Sequence, residues 1–428
     1  MAMLSRPFDL LRTYVGSLTW APFVQISRST VLGLLQRIQQ GQLRVTDCDG
    51  SVTLCGAILD GAPKTELKVL KEAFWVRVLL FADMLFILNR AELSNATTLT
   101  SSLASTITGL ARRTNTLANA RLNISAHYDI SNSMFAAFLS EDMTYSCPIW
   151  APTSSPKSVG ESLEEAQERK LQYFIEHAKI KRTDHVLEIG TGWGSFAIAA
   201  VRRTGCRVTS LTLSREQKEL ADERIAEAGF TENVEVLLCD YRALPMPNEG
   251  PYDKVVSIEM LEAVGREYLE IYFNCIHKLL KPQGGIGVFQ CITMPEARYE
   301  AYSKGEDFIR KYIFPGGHLP TITQLVGSIE RGSAGALVVD EVYNIGGHYA
   351  KTLRLWKEKF EMNFDCKIRP ALLSEHEGMT GRDVDLFRRK WEYYFTYCEA
   401  GFNTKTLGDV ILTVGREGAM EMLEGIPL

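Results

Sequence analysis

The sequence predicts an α/β fold, a doubly wound parallel sheet with a smaller N-terminal α+β domain, and three observations carry that prediction. From Glu161 onward, apolar segments of strand length alternate with helical segments, the pattern of a parallel sheet covered on both faces. The first strand, His185 to Ile189, turns through Glu188-x-Gly190-x-Gly192-x-Gly194 into an alanine-rich helix. Upstream, Ser94 to Asn119 is dominated by Ser, Thr, Asn and Ala, a linker composition that divides the chain. A length of 428 residues, 46% of them hydrophobic, supplies core for two domains.

Residues 1–115 are expected to form an N-terminal accessory domain. Between Met1 and Thr46, five arginines (Arg6, Arg12, Arg28, Arg37, Arg44) stand against one acid, Asp9. Three readings fit that bias: a segment lying on an anionic lipid surface, a transit peptide, or a solvated or docked N-terminal helix. Leu43 to Cys55 alternates around Asp49-Gly50, a hairpin signal. The most hydrophobic run, Phe74 to Leu88, is too short to span a bilayer and carries Arg77 and Asp83, so it reads as core.

Residues 116–160 read as a helical lid, with an aromatic helix at Phe135 to Leu139 flanked by His127-Tyr-Asp and Met143-Thr-Tyr-Ser-Cys-Pro-Ile-Trp150. Residues 161–428 make the sheet domain. Its first helix shows apolar positions Leu163, Ala166, Leu171, Phe174, Ile175 and Ala178. Further strands are expected at Arg207 to Thr212, Val234 to Cys239, Lys254 to Ile258 and Gly285 to Ile292. An insertion at about 293–348 mixes basic and aromatic residues in Phe308-Ile-Arg-Lys-Tyr-Ile-Phe-Pro-Gly-Gly-His-Leu-Pro320, as a lid or substrate wall does. Gly346-Gly-His-Tyr349 opens a helix, and Trp391 to Arg416 supplies another helix and closing antiparallel strands.

A net charge of −5 argues against nucleic acid as a partner. The nine cysteines are scattered and never in C-x-x-C, which fits reduced thiols and no metal site.

In the glycine loop, the alternating spacing differs from the dinucleotide fingerprint G-x-G-x-x-G. Glu188, two residues before Gly190, suits a cationic amino-acid cofactor, as in methyltransferases that use S-adenosylmethionine. After the second strand, Thr212 stands where an acid usually holds the ribose, and Ser214-Arg-Glu-Gln217 is either a capping box or a cofactor contact. Asp240-Tyr241 follows the third strand, where a polar group meets an adenine amine and a ring stacks on the base; the alternative is a turn aspartate. Past the fourth strand, Ser257-Ile-Glu-Met-Leu-Glu-Ala-Val-Gly265 brings two carboxylates to the crevice edge, with Glu262 as the charge near a sulfonium. Acids complementing a helix dipole are the alternative there.

Together, His-Tyr-Asp, Tyr-Ser-Cys, E-x-G-x-G-W-G, T-L-S-x-x-Q, D-Y-R, S-I-x-M-x-E, K-Y-I-F-P-G-G and Tyr-x-x-Thr-Leu-x-x-Trp resemble the cyclopropane fatty acid synthase family over about residues 120–410. The resemblance implies the class I S-adenosylmethionine-dependent methyltransferase fold, a Rossmann-like doubly wound sheet. It implies cofactor contacts at Tyr128, Tyr145, Ser146, Gly190, Gly192, Trp193, Thr212, Gln217 and Tyr241, to which the loop and its neighbours add Glu188, Gly194, Leu213 and Asp240. Cys147, Glu262 and Tyr349 match positions that hold bicarbonate in the family. The implied reaction is methyl transfer to the double bond of an unsaturated phospholipid acyl chain at a membrane surface. A carbocation follows, from which bicarbonate takes a proton to close a cyclopropane. The implied location is cytoplasmic and peripheral at membranes, with mitochondrial import as the alternative, and a homodimer is left open.

Three departures from the family pattern stand out. Glu262 is followed by Ala263 rather than His. Cys291 aligns with the histidine that helps grip bicarbonate, which adds it to the catalytic candidates, and Gln-x-Ile-Thr-Met here is similar to branches that methylate other lipids. A short segment after Met84 is missing. They leave two alternatives open: methylation of another lipid, such as a methyl-branched acyl chain or sphingoid base, and a catalytically degenerate lipid-binding protein.

Overall fold

A computed structural model of the chain describes residues 17–36, 38, 42–56, 64–72, 74–75, 131–305, 307–376 and 378–427. The Ser94–Asn119 linker, the segment after Met84, most of the Phe74–Leu88 run and Tyr128 lie outside them. The chain divides into two compact units, Met1–Gly109 and Leu110–Leu428.

In the first unit, helix α1 (Ser17–Leu35) and strands β1 (Gln42–Thr46), β2 (Val52–Cys55) and β3 (Lys64–Lys68) form a small α+β body. The hairpin at Asp49-Gly50 is present, Gly50 taking φ 83, and β3 adds to β1 in parallel. Val24, Val31 and Leu35 of α1 bury against Val45, Cys55 and Trp75. Arg28 is paired with Asp47 at 2.6 Å, and Asp47 also accepts from the Trp75 indole at 3.0 Å. Within the arginine-rich segment, residues 17–35 form a helix packed on this body.

The second unit begins with α2 (Asn132–Ala136), α3 (Leu163–His177), β4 (His185–Ile189), α4 (Ser195–Thr204), β5 (Arg207–Thr212), α5 (Arg215–Glu227), β6 (Val234–Leu238) and β7 (Lys254–Ile258). It continues through α6 (Leu269–Leu279), β8 (Ile286–Thr293), α7 (Glu296–Lys304), α8 (Phe308–Tyr312), α9 (Ile322–Ser333) and β9 (Val338–Asn344). It closes with α10 (Gly346–Asn363), α11 (Arg369–Glu375), α12 (Gly381–Asn403) and β10 (Gly408–Gly415). The aromatic helix starts three residues earlier than expected because the Ser131 hydroxyl caps it by accepting from Met134 N.

The seven strands run in the order β6-β5-β4-β7-β8-β10-β9, parallel from β6 to β8, with β10 antiparallel to both its neighbours. All five parallel strands lie where the sequence places them. β9 was not foreseen and falls inside the expected insertion. Its acids and alternating exposure mark an edge strand, whose weak hydrophobic signal hides it from a pattern search.

Strand alternation sends Val186, Val208, Val256, Val288 and Ile411 into one core with α3, α4, α10 and α12. Leu187, Leu211, Val255, Phe289, Cys291 and Leu412 enter a second core with α6 and α9. The strand order reverses between β4 and β7, and ligands of such sheets bind outside the carboxyl ends of the strands at that point.

Candidate active site

At that reversal β4 ends in the glycine loop. Gly190, Gly192 and Gly194 have φ 106, 53 and 86, conformations that strain residues bearing a Cβ. A Cβ on Gly190 would stand 3.3 Å from Met260 Cβ, whereas one on Gly192 would meet nothing within 4 Å, so Gly192 faces open space. That space is an open cleft. Tyr145, Ser146, Glu188, Gly190, Gly192 and Trp193 line it, as do Thr212, Leu213, Gln217, Asp240 and Tyr241. Gly194 is the exception: it heads α4, and a Cβ added to it would stand 3.5 Å from Ala221 Cβ on α5, so it faces that helix rather than the cleft.

Each wall residue is held by a neighbour. The Glu188 carboxylate accepts from the Ser210 hydroxyl at 2.5 Å, and burial pushes its pKa up to about 8. The Trp193 indole donates to Asn132 Oδ1 at 2.8 Å and its ring lies 5.0 Å from Phe135, which ties α2 over the loop. Thr212 donates to Gln217 Oε1 at 2.8 Å while Gln217 N is capped by Ser214, so only half of a capping box forms. Asp240 caps the turn at Tyr241 and is paired with Arg242 at 2.7 Å, combining the turn role with a place in the cleft.

Beside the loop lies a polar cluster on the α3/α10 face of the sheet. The Glu259 carboxylate accepts from Cys147 N, Gln290 Nε2 and the Tyr349 hydroxyl, each at 2.7 Å, and Glu259 itself lines the cleft. Gln290 also donates to Asp409 Oδ2 at 2.7 Å. Desolvation, and next the Glu259 charge, push the Asp409 carboxyl well above its usual range. Cys147 is buried, burial pushes its thiol pKa up, and it enters the cluster through its backbone N–H. Tyr349 stacks 4.5 Å from Phe402, and Trp150 is fixed to α10 by His348 and Thr352 at 3.1 and 3.0 Å. The insertion reaches this place: Phe314 stacks over Tyr145 at 6.5 Å, and His318 N donates to Glu262 O at 2.8 Å.

Two expectations are corrected here. Cys291 does not join Cys147 and Tyr349, because successive strand residues point to opposite faces. It lies in the α6/α9 core, and Gln290, one residue earlier, faces the cluster. Of the paired carboxylates, Glu259 rather than Glu262 takes the donors of Cys147 and Tyr349. Glu262 accepts instead from Ile292 N at 2.5 Å, and burial, with the Glu259 charge next, pushes it up to about 8.

Bicarbonate does not fit this cluster. The donors that would hold its oxygens are taken by Glu259, and the side-chain oxygens left without partners in and beside the cluster, Gln290 Oε1, Asp409 Oδ1 and Glu262 Oε2, are acceptors. The cluster lacks protons rather than an anion.

The sequence reading also missed Lys170, which is fully buried on α3, lines the cleft and donates to Ser146 Oγ at 2.5 Å. Gln167, one turn before it, is equally buried and donates to Ser146 O at 2.8 Å. Both sit on the stripe of Leu163, Ala166, Leu171 and Phe174, and polar residues on an apolar stripe were the available signal.

A sequence profile of the family described as mycolic acid cyclopropane synthetase matches residues 115–411. Over 301 residues the chain is 42% identical to the tuberculostearic acid methyltransferase UfaA1 of Mycobacterium tuberculosis, covering 70% of this chain and 66% of that protein. It is 30% identical over 298 residues to the cyclopropane-fatty-acyl-phospholipid synthase of Escherichia coli K12, covering 69% of each. The chain thus spans about two thirds of the length of these curated relatives. Among solved structures, mycolic acid cyclopropane synthase CmaA1 complexed with SAH and CTAB matches with a TM-score of 0.60 at 27% identity, over 69% of this chain and 98% of that one. Coclaurine N-methyltransferase bound to SAH shares the fold, with a TM-score of 0.59 at 21% identity over 79% of this chain and 94% of that one. The fold is therefore that of class I methyltransferases, and the chain is an S-adenosylmethionine-dependent methyltransferase.

Proposed function

The chain belongs to the mycolic acid cyclopropane synthetase family, and on that premise we propose that it methylates a carbon–carbon double bond in an unsaturated acyl chain of a membrane phospholipid. S-adenosylmethionine supplies the electrophilic methyl group. One observation carries the reading: Glu259 lines the cleft and accepts from Tyr349, whose ring packs against Trp356 and Phe402. An alkene is a poor nucleophile that becomes a cation when its π electrons form the new carbon–carbon bond. An aromatic wall shelters that cation from water, and a fixed carboxylate stabilises it. The Phe314 arm of the insertion adds apolar surface beside Tyr145. The long alkyl chain of the CTAB in the mycolic acid cyclopropane synthase complex supports a hydrocarbon substrate.

Loss of a proton from the new methyl closes a cyclopropane. A second reading, a methyl-branched chain, is favoured by the 42% identity to a tuberculostearic acid methyltransferase. Incubation with labelled S-adenosylmethionine and unsaturated phospholipid vesicles is expected to put label in the lipid. With a hydride donor added, mass spectrometry then separates the products, since methyl transfer followed by reduction adds two more hydrogens than ring closure. Absence of label with cofactor binding intact overturns both readings and leaves a lipid-binding protein.

A further inference from the structure

We propose that Glu259 is itself the carboxylate that stands beside the substrate cation and removes its proton, in place of a bound bicarbonate. The proposal rests on the double-bond methylation reading above. Three features of the site support it. Cys147 N, Gln290 Nε2 and the Tyr349 hydroxyl converge on this one carboxylate, each at 2.7 Å. Such a set of donors holds an anion in one orientation. The carboxylate also borders the cofactor cleft, beside Gly190 and Met260.

The third feature is the backbone. Glu259 has φ 48, in the left-handed region where a side chain is strained and glycine is not. Strain of this kind persists where the surroundings over-determine it, and it clusters at reacting sites. Gln290 is the positioning residue: its amide donates to both Glu259 and Asp409 and so fixes the spacing of the two acids.

In the step assigned to Glu259, a C–H bond of the newly transferred methyl breaks. Its electron pair forms the bond between that methyl carbon and the cationic carbon, and the proton goes to the carboxylate. Cation and carboxylate become neutral lipid and neutral acid, and the acid returns its proton to water through the cleft once the products leave.

The test uses the full chain with unsaturated phospholipid vesicles, in buffer stripped of carbon dioxide and then supplemented with bicarbonate. The wild type is expected to turn over equally in both. Glu259→Gly suits the left-handed backbone, so its Tm is expected at or above that of the wild type, with cofactor affinity retained. Its turnover is expected to fall by about 100-fold or more and to recover in part with added bicarbonate. Wild-type turnover that requires bicarbonate overturns the proposal, as does a Glu259→Gly variant within about tenfold of the wild type. A wild type that binds S-adenosylmethionine but methylates no unsaturated lipid overturns the methylation reading itself, and this proposal with it.

Discussion

Glu188 is expected to couple cofactor binding to pH. Its carboxyl is pushed up to about 8 by burial, against the opposing pull of the Ser210 hydroxyl. A cationic amino-acid group placed beside it favours the carboxylate, so binding at neutral pH must expel a proton. Affinity for S-adenosylmethionine is therefore expected to rise between pH 6 and about 8 and then level off. Titration calorimetry in buffers of different ionisation enthalpy measures the released proton, and Glu188→Gln is expected to flatten the profile. Glu188 was legible because its spacing from the glycines is local. Lys170, Gln290 and Asp409 were not, since each acquires its partner from a distant part of the chain: Lys170 meets Ser146, and Gln290 meets Glu259 and Asp409.

At the scale of elements, the site depends on how closely α10 approaches β10. A Cβ on Gly346 would lie 2.7 Å from Asp409 N and 3.0 Å from Gly408 C, whereas one on Gly347 would meet nothing within 4 Å. Gly346→Ala must push the helix bearing Tyr349 away from the strand bearing Asp409, at a cost of about 1–3 kcal/mol, and turnover is expected to fall with stability. Gly347→Ala is expected to be neutral, or to stabilise by up to about 1 kcal/mol. Denaturant melts of the two variants check the pair, and equal effects refute the packing argument. The helix itself was readable from its sequence, but which of two adjacent glycines touches the strand was not. The misplacement of Cys291 has the same origin, because a one-residue change of register in β8 reverses every side chain.

For the whole molecule, the cost of gathering acids on one face of the sheet is a dependence of stability on pH. Burial pushes Glu188 and Glu262 up to about 8, so the native chain holds protons that the unfolded chain has lost. Stability from these groups is complete below the unfolded carboxyl pKa and is lost as pH rises through about 8. His318 runs the opposite way, pushed down to about 4 by burial, but it is neutral in both states above pH 7. Between about pH 7 and 8.5 the Tm is therefore expected to fall, and less steeply with saturating S-adenosylmethionine. A Tm that climbs across this window contradicts the protonation of Glu188 and Glu262. No described helix is long and apolar enough to cross a membrane.

Local order in the chain determined the doubly wound sheet, the turn at Gly190 to Gly194 and the helix carrying Tyr349. These are consequences of period, spacing and backbone freedom within short windows. Tertiary structure alone decided that Glu259 rather than Glu262 receives the donors of Cys147 and Tyr349, that Gln290 displaces Cys291, and that Asp409 and Lys170 stand beside them. Those assignments depend on strand register and helix approach, which bring together residues more than a hundred positions apart. No local pattern encodes that distance.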